Sequence, residues 1–279
     1  MKRSYTQMGA WTLEDISWEK FTPELVTPDV LKVVKAASLV EYNATDYEKY
    51  LKNIFKEDPL VQEAVKTWTI EEIQHGQALA KWASLADSSF DFEGALKIFR
   101  KGFQVALTAD TSTRGSLSGE LVARCVIETA TSSFYTALKD MADEPVLKEI
   151  CAHIAADELR HYKLFYKHLQ RYLEEEHPSK LSRLRVAVGR MLEAEDDELA
   201  MAYYAANEAP SITPYNRSSN AAAYLKRVYG YYDKNHVKHG VSMILKASGY
   251  PPHGFLSTIF FGVIWTFVMF RKKKDPLSL

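Results

Sequence analysis

Apolar residues along this chain recur every three or four positions over long stretches and almost nowhere alternate with polar ones. That period is the mark of helices buried on one side, so the pattern predicts an all-α protein. Proline-containing breaks divide the stretches. Pro28 opens a helix through "DVLKVVKAASLVEYNATDYEKYLKNIF", and Asp58-Pro59 opens a second through "LVQEAVKTWTIEEIQHGQALAKWASLA". Residues 87–118 form a longer crossover, with an amphipathic piece, "FEGALKIFRKGFQVAL", and a loop, "TADTSTRGSLSG". A third helix covers "ELVARCVIETATSSFYTALKDMA". After the break at Asp143-Glu144-Pro145 a fourth covers "VLKEICAHIAADELRHYKLFYKHLQRYLEEE" and stops before Pro178.

A short link inside each helix pair and a long crossover between pairs is the layout of a ferritin-like four-helix bundle. Two additional helices are expected near 179–206 and 219–247, separated by "NEAPSITPYNRSS". The stretch "GFLSTIFFGVIWTFVMF", Gly254 to Phe270, then runs without a charge and is followed by "RKKK". The expected organisation is an N-terminal extension (1–27), the bundle (28–178), additional helices packing on it (179–249) and an apolar membrane-associating tail with a basic end (250–279). "SGYPPHG" before the tail is expected to be a hinge.

The helical pattern also places candidate chemistry. The second helix carries Glu72-Ile73-Gln74-His75 and the fourth Glu158-Leu159-Arg160-His161. A spacing of three puts each Glu and His on one helix face, about one turn apart. Each preceding helix offers one more carboxylate on its apolar stripe: Glu41 in "SLVEYNA" and Glu128 in "CVIETAT". Thirty-one residues separate Glu41 from Glu72, and thirty separate Glu128 from Glu158, so the chain reads as one unit used twice. Val65, Trp68, Gly76 and Leu79 share the face of the first pair; Cys151, Ile154, Ala155 and Phe165 flank the second. Four carboxylates on core-facing stripes repel one another and resist burial unless cations neutralise them. Two divalent metals supply that charge, and oxygen and imidazole donors suit iron, or a manganese–iron pair.

Other histidines read as structure. Glu174 and His177 repeat the spacing inside a charged run before Pro178, a solvated helix end. Asp233, His236 and His239 stand among lysines and are expected on a solvated face. His153 is expected to be a packing or surface residue, and the tyrosines from Tyr203 to Tyr232 core and interface aromatics.

Composition narrows the classes further. The formal net charge of −1 over 279 residues gives no electrostatic reason to expect nucleic acid as a partner. Two cysteines, Cys125 and Cys151, make no disulfide framework, and a reducing cytoplasm is expected. The basic residues near the start precede no apolar stretch, so no secretory signal is expected there.

"IEEIQHGQALAKW" and "CAHIAADELRHYKLFYKHL" closely resemble the two metal-binding helices of acyl-carrier-protein desaturases, within the ferritin-like diiron carboxylate superfamily. The resemblance spans roughly residues 30–175. It implies that Glu72 and Glu158 bridge two metals, with Glu41 and His75 completing one and Glu128 and His161 the other. It implies that Asp157 holds a metal-bound histidine in orientation, and it places Thr131 near the oxygen-binding side; helix packing is the other reading of Thr131. It further implies a fatty-acyl substrate, O2, and an electron donor such as ferredoxin.

The tail departs from that pattern. Seventeen helical residues reach about 25 Å, short of a hydrocarbon core of about 30 Å. Arg271 to Lys274 suit anionic cytoplasmic headgroups. A segment lying along or dipping into the membrane is therefore expected, making the protein cytoplasmic and peripherally or monotopically attached, with a lipid or lipid-derived acyl substrate; a homodimer is compatible with this. Desaturation leads. Hydroxylation of a quinone or another hydrophobic molecule, iron handling, and a metal-free membrane scaffold stand beside it.

Overall fold

In the computed structural model, which describes residues 11–193, 197–209 and 213–273, each of the four bundle helices begins at a side-chain cap. Helix α1 (Pro28–Tyr42) follows Thr27, whose hydroxyl accepts from the Val30 amide. After α2 (Ala44–Ile54), helix α3 (Pro59–Ala86) follows Asp58, whose Oδ1 accepts from the Leu60 and Val61 amides. After α4 (Phe92–Gly102), helix α5 (Leu117–Met141) is capped by Ser116 through the Gly119 amide. Helix α6 (Pro145–Glu176) is capped by Glu144 through the Leu147 amide. Three of these four helices carry proline at the first position, where its fixed φ suits the helix and its missing N–H costs nothing. Each cap satisfies amides that the helix geometry leaves without partners, worth about 1 kcal/mol apiece.

The described residues are helical apart from turns and loops. α1 packs on α3, α5 on α6, and α3 joins the pairs through α6. The additional helices are α7 (Lys180–Leu192), α8 (Asp197–Asn207), α9 (Arg217–Tyr231) and α10 (Lys234–Ala247). α8 lies against α1 and α4, and α10 against α5. The tail forms α11 (Phe255–Lys273).

Three expectations change in detail. The first predicted helix is broken after Tyr42. Asn43 is fully buried there, and its side-chain oxygen accepts from Arg100 Nε of α4 at 3.1 Å, so the turn is held from outside the helix. The second additional helix is split at Asp233. Asp233 and His236 form a reciprocal cap: Asp233 Oδ1 accepts from the His236 amide, and His236 Nδ1 accepts from the Asp233 amide. This pair is therefore a helix start, and His236 is buried rather than on a solvated face. The 179–206 segment likewise holds two helices, α7 and α8; residues 194–196 between them lie outside the described set, as does Lys274 of the basic end.

"SGYPPHG" is a structured reversal. The Tyr250 amide bonds Leu245 O at 2.9 Å and the Gly249 amide bonds Lys246 O at 3.0 Å, with Gly249 at φ +83°. That is a Schellman ending, which needs glycine in the left-handed position. It turns the chain back so that α11 runs along α10 and α9. His177 ends α6 in the left-handed region before Pro178, as expected of a helix end, and Glu176 accepts from the Leu117 and Ser118 amides at the start of α5.

Gly76 shows how closely the first pair approaches. A Cβ there would lie 2.7 Å from the Tyr42 amide nitrogen, and rigid backbone cannot give way. Gly76→Ala should lower the unfolding free energy by about 1–3 kcal/mol, read as a lower urea midpoint; an unchanged midpoint would mean that α1 and α3 do not approach this closely.

A candidate metal centre between two apolar plugs

Two hydrophobic clusters divide the bundle along its length. One holds Leu79 and Trp82 of α3, Tyr135 and Leu138 of α5, and Leu147 and Ile154 of α6. The other holds Val65 and Trp68 of α3, Cys125 of α5, and Phe165 and Leu169 of α6. Between them each bundle helix turns polar for about one turn. Glu41 comes from α1, Glu72 and His75 from α3, Glu128 from α5, and Glu158 and His161 from α6, and none is more than 7% exposed.

All six sequence-predicted donors meet in that layer. One ligand atom each from Glu41, Glu72, His75 and Glu158 lies within 4.8 Å of the others, and the same holds for Glu72, Glu128, Glu158 and His161. Glu72 and Glu158 belong to both sets. His75 Nδ1 stands 3.3 Å from Glu158 Oε1 and 3.6 Å from Glu41 Oε2. His161 Nδ1 stands 3.0 Å from Glu72 Oε1 and 3.6 Å from Glu128 Oε2. Donors about 2.1 Å from one shared cation stand roughly 3 to 4 Å apart, so the spacing suits two ions. The hydrogen bonding gives the same answer. Glu41 Oε2, His75 Nδ1, Glu158 Oε1 and His161 Nδ1 are buried without a hydrogen-bond partner, and all four point into the layer. Buried polar atoms in native proteins are rarely left so, and a cation is the ligand that this donor set suits.

The outer ring nitrogens are also fixed. Asp157 Oδ2 lies 3.0 Å from His75 Nε2 and accepts from Trp11 Nε1 at 2.8 Å. Glu71 Oε2 lies 2.6 Å from His161 Nε2. Arg160 pairs with both Asp157 and Glu71. In each helix the acid just before the shared glutamate orients the histidine of the other helix, leaving Nδ1 for the centre. Thr131 Oγ1 lies 2.5 Å from Glu158 Oε2, with the carbonyls of Ile127 and Glu128 as alternative acceptors at 3.1 and 3.2 Å. It lines a cavity of about 60 Å³ that also exposes Glu41, Glu72, Glu128 and Glu158.

Charge in this layer is balanced by protons when no cation is present. Burial pushes the Glu72 carboxyl well above its usual range, and the neighbouring Glu158 and Glu41 push it further. Burial also raises Glu128. Burial opposes the charged form of His75, but Asp157, Glu158 and Glu41 outweigh it and raise the ring well above its ordinary value. His161 is raised in the same way by Glu128, Glu158 and Glu71. Burial would raise Glu41 as well, yet the neighbouring His75 ring brings it below the usual carboxylate range.

Sequence reasoning missed Glu71, Trp11, Arg124 and the partner of Glu41. Glu71 had a signal: it precedes Glu72 as Asp157 precedes Glu158. Trp11 had none, because it reaches the site from the N-terminal extension. Arg124 Nη2 donates to Glu128 Oε1 at 2.9 Å, and the Tyr135 hydroxyl donates to Glu41 Oε1 at 2.6 Å. His153 stacks on Trp11, a packing role as expected.

No curated protein sequence matches the chain. A family profile described as "Fatty acid desaturase" matches residues 44–238, more than half of the chain. The match takes in Glu72, His75, Glu128 and Glu158-to-His161 and begins just after Glu41. With the paired Glu/His sets buried in one layer of an all-helical bundle, this identifies the chain as a member of the fatty acid desaturase family, a family of diiron oxidoreductases.

Proposed function

We propose that the chain is an O2-dependent diiron desaturase acting on a fatty-acyl chain at a membrane surface. The observation that carries this is the polar layer with four unpartnered donors in a member of this family. Glu72 and Glu158 would bridge two iron ions, or a manganese–iron pair. Glu41 and His75 would complete one position, and Glu128 and His161 the other. Bound in this way, the reduced metals supply electrons to O2 and the oxidising power to remove hydrogen from an unactivated carbon. Removing two hydrogens from adjacent carbons, with two electrons and two protons from a donor such as ferredoxin, reduces O2 to two waters.

The protein's own residues set the conditions. The two apolar plugs confine water in the layer to the small cavity beside Thr131, which strengthens the charge interactions inside it. Asp157 and Glu71 hold the imidazoles in one tautomer and orientation. Thr131 holds a hydroxyl proton on Glu158 Oε2 at the cavity side, where it can be passed to oxygen.

Helix α11 supports attachment to a membrane. By length and composition Phe255–Lys272 could cross one, and little of it is buried. Phe260, Phe261, Ile264 and Trp265 pack with Val237, Val241 and Leu245 of α10, so the helix lies along the protein. Its outer stripe, Phe255, Ile259, Val263, Phe267 and Phe270, is exposed. A helix with one face on protein and the other apolar, ending in Arg271 and Lys272, fits an in-plane position at an anionic surface better than a crossing.

Three outcomes check this reading. Glu158→Ala should remove both irons, measured by metal analysis beside an acyl-product assay; retained iron would contradict the bridging role, and products that gain oxygen rather than lose hydrogen would assign hydroxylation. Metal-free protein should lose thermal stability as pH rises above about 6.5, the ordinary histidine value, because raised groups such as His75 and Glu72 stabilise the fold while protonated and lose that contribution as pH rises through their folded values. Metal-loaded protein should show the opposite trend, since cations displace those protons. Phe255→Asp with Val263→Asp should abolish sedimentation with anionic phosphatidylglycerol vesicles, and unchanged binding would refute the in-plane anchor.

A further inference from the structure

We propose that the two metal positions are inequivalent: the Glu41/His75 position fills first and more tightly, because Arg124 places a fixed positive charge on the Glu128/His161 position. This rests on the two-metal reading above.

Most of the surroundings are matched. The two donor sets share Glu72 and Glu158. Asp157 serves His75 as Glu71 serves His161, and Arg160 reaches both acids. Trp11 adds a neutral donor on Asp157 and Thr131 one on Glu158; the difference in charge lies at the two unshared carboxylates. Glu41 Oε1 accepts from a neutral phenol, Tyr135, at 2.6 Å, which leaves Oε2 for a cation. Glu128 Oε1 accepts from the Arg124 guanidinium at 2.9 Å, which leaves Oε2 beside His161. Each outer oxygen is thus occupied, so both carboxylates face the centre through a single oxygen. Only one of them shares its charge with a cation.

Bulk solvent screens that cation little, although it lines the cavity beside Thr131 and a larger one of about 210 Å³. Arg124 is 4% exposed, its Nε has no partner, and its guanidinium lies 4.7 Å over the Trp68 ring and 5.5 Å from the Tyr47 and Phe165 rings. A guanidinium does not shed its proton in a protein. Arg124 therefore draws negative charge from Glu128 and repels an ion bound there. Tyr135 does neither to the same degree at Glu41. Arg124 acts as a positioning residue that sets the order of loading.

Titration of full-length metal-free protein with Co2+, followed by calorimetry and visible absorption, tests this. Two steps are expected, with constants apart by about tenfold or more, the direction that Coulomb's law requires. Arg124→Met, which keeps an apolar stem against Trp68, should strengthen the weak step and close the gap; Arg124→Lys, which keeps the charge, should preserve it. His161→Ala should retain the tight step and His75→Ala the weak one, so the order is decided even where Arg124→Met does not fold. Two equal steps in the unaltered protein, the reverse assignment in the histidine variants, or a gap unchanged in a folded Arg124→Met would each overturn the inference while leaving two metals in place. Uptake of fewer than two ions would overturn the two-metal reading and this inference with it.

Discussion

The structure turns on one electrostatic problem: four carboxylates and two imidazoles are held in a single dry layer of a helical bundle. Burying one unpaired carboxylate is already prohibitive beside the net stability of a domain. Protons answer the problem when cations are absent, and cations answer it better. Much of the rest follows from keeping that layer narrow and dry. Apolar plugs close it above and below. Trp82 donates to the Glu144 cap at 2.7 Å, so the start of α6, and with it the register of Glu158 and His161, is tied to α3. Gly76 allows α1 to come near enough for Glu41 to share the layer.

The layer is built twice from one unit, a helix with a glutamate followed by a helix with an acid, a shared glutamate and a histidine. Repetition makes the crossed arrangement inexpensive to specify, since each ring is oriented by the partner helix through Asp157 or Glu71. The departure from symmetry that carries a charge comes at the outer oxygens, where α5 provides both Arg124 and Tyr135. One helix therefore tunes both ends of the centre, and tunes them differently.

The C-terminal helix follows a separate logic. Its inner face completes a small apolar cluster with α10, and much of its outer face is exposed. The Schellman reversal at Gly249 fixes its direction, so the exposed stripe is an attribute of a placed helix and not of a loose tail.

The bundle helices and the six candidate donors were legible in the chain because they depend on local rules: a period near 3.6, proline at the first position, and Glu and His one turn apart. The break after Tyr42 was not legible, since it depends on Arg100 arriving from another helix. Asp233 and His236 were expected on a solvated face, since neither their reciprocal cap nor the burial of His236 follows from their charged neighbours. The choice of which donor faces which needed the tertiary structure. Sequence periodicity assigns a side chain to a face, whereas Trp11 on Asp157, Tyr135 on Glu41 and the burial of Arg124 on Glu128 depend on how faces far apart in sequence are brought together. The one contact among these that is local, Arg124 with Glu128 at i and i+4, still takes its force from burial, and burial is decided only when the helices pack.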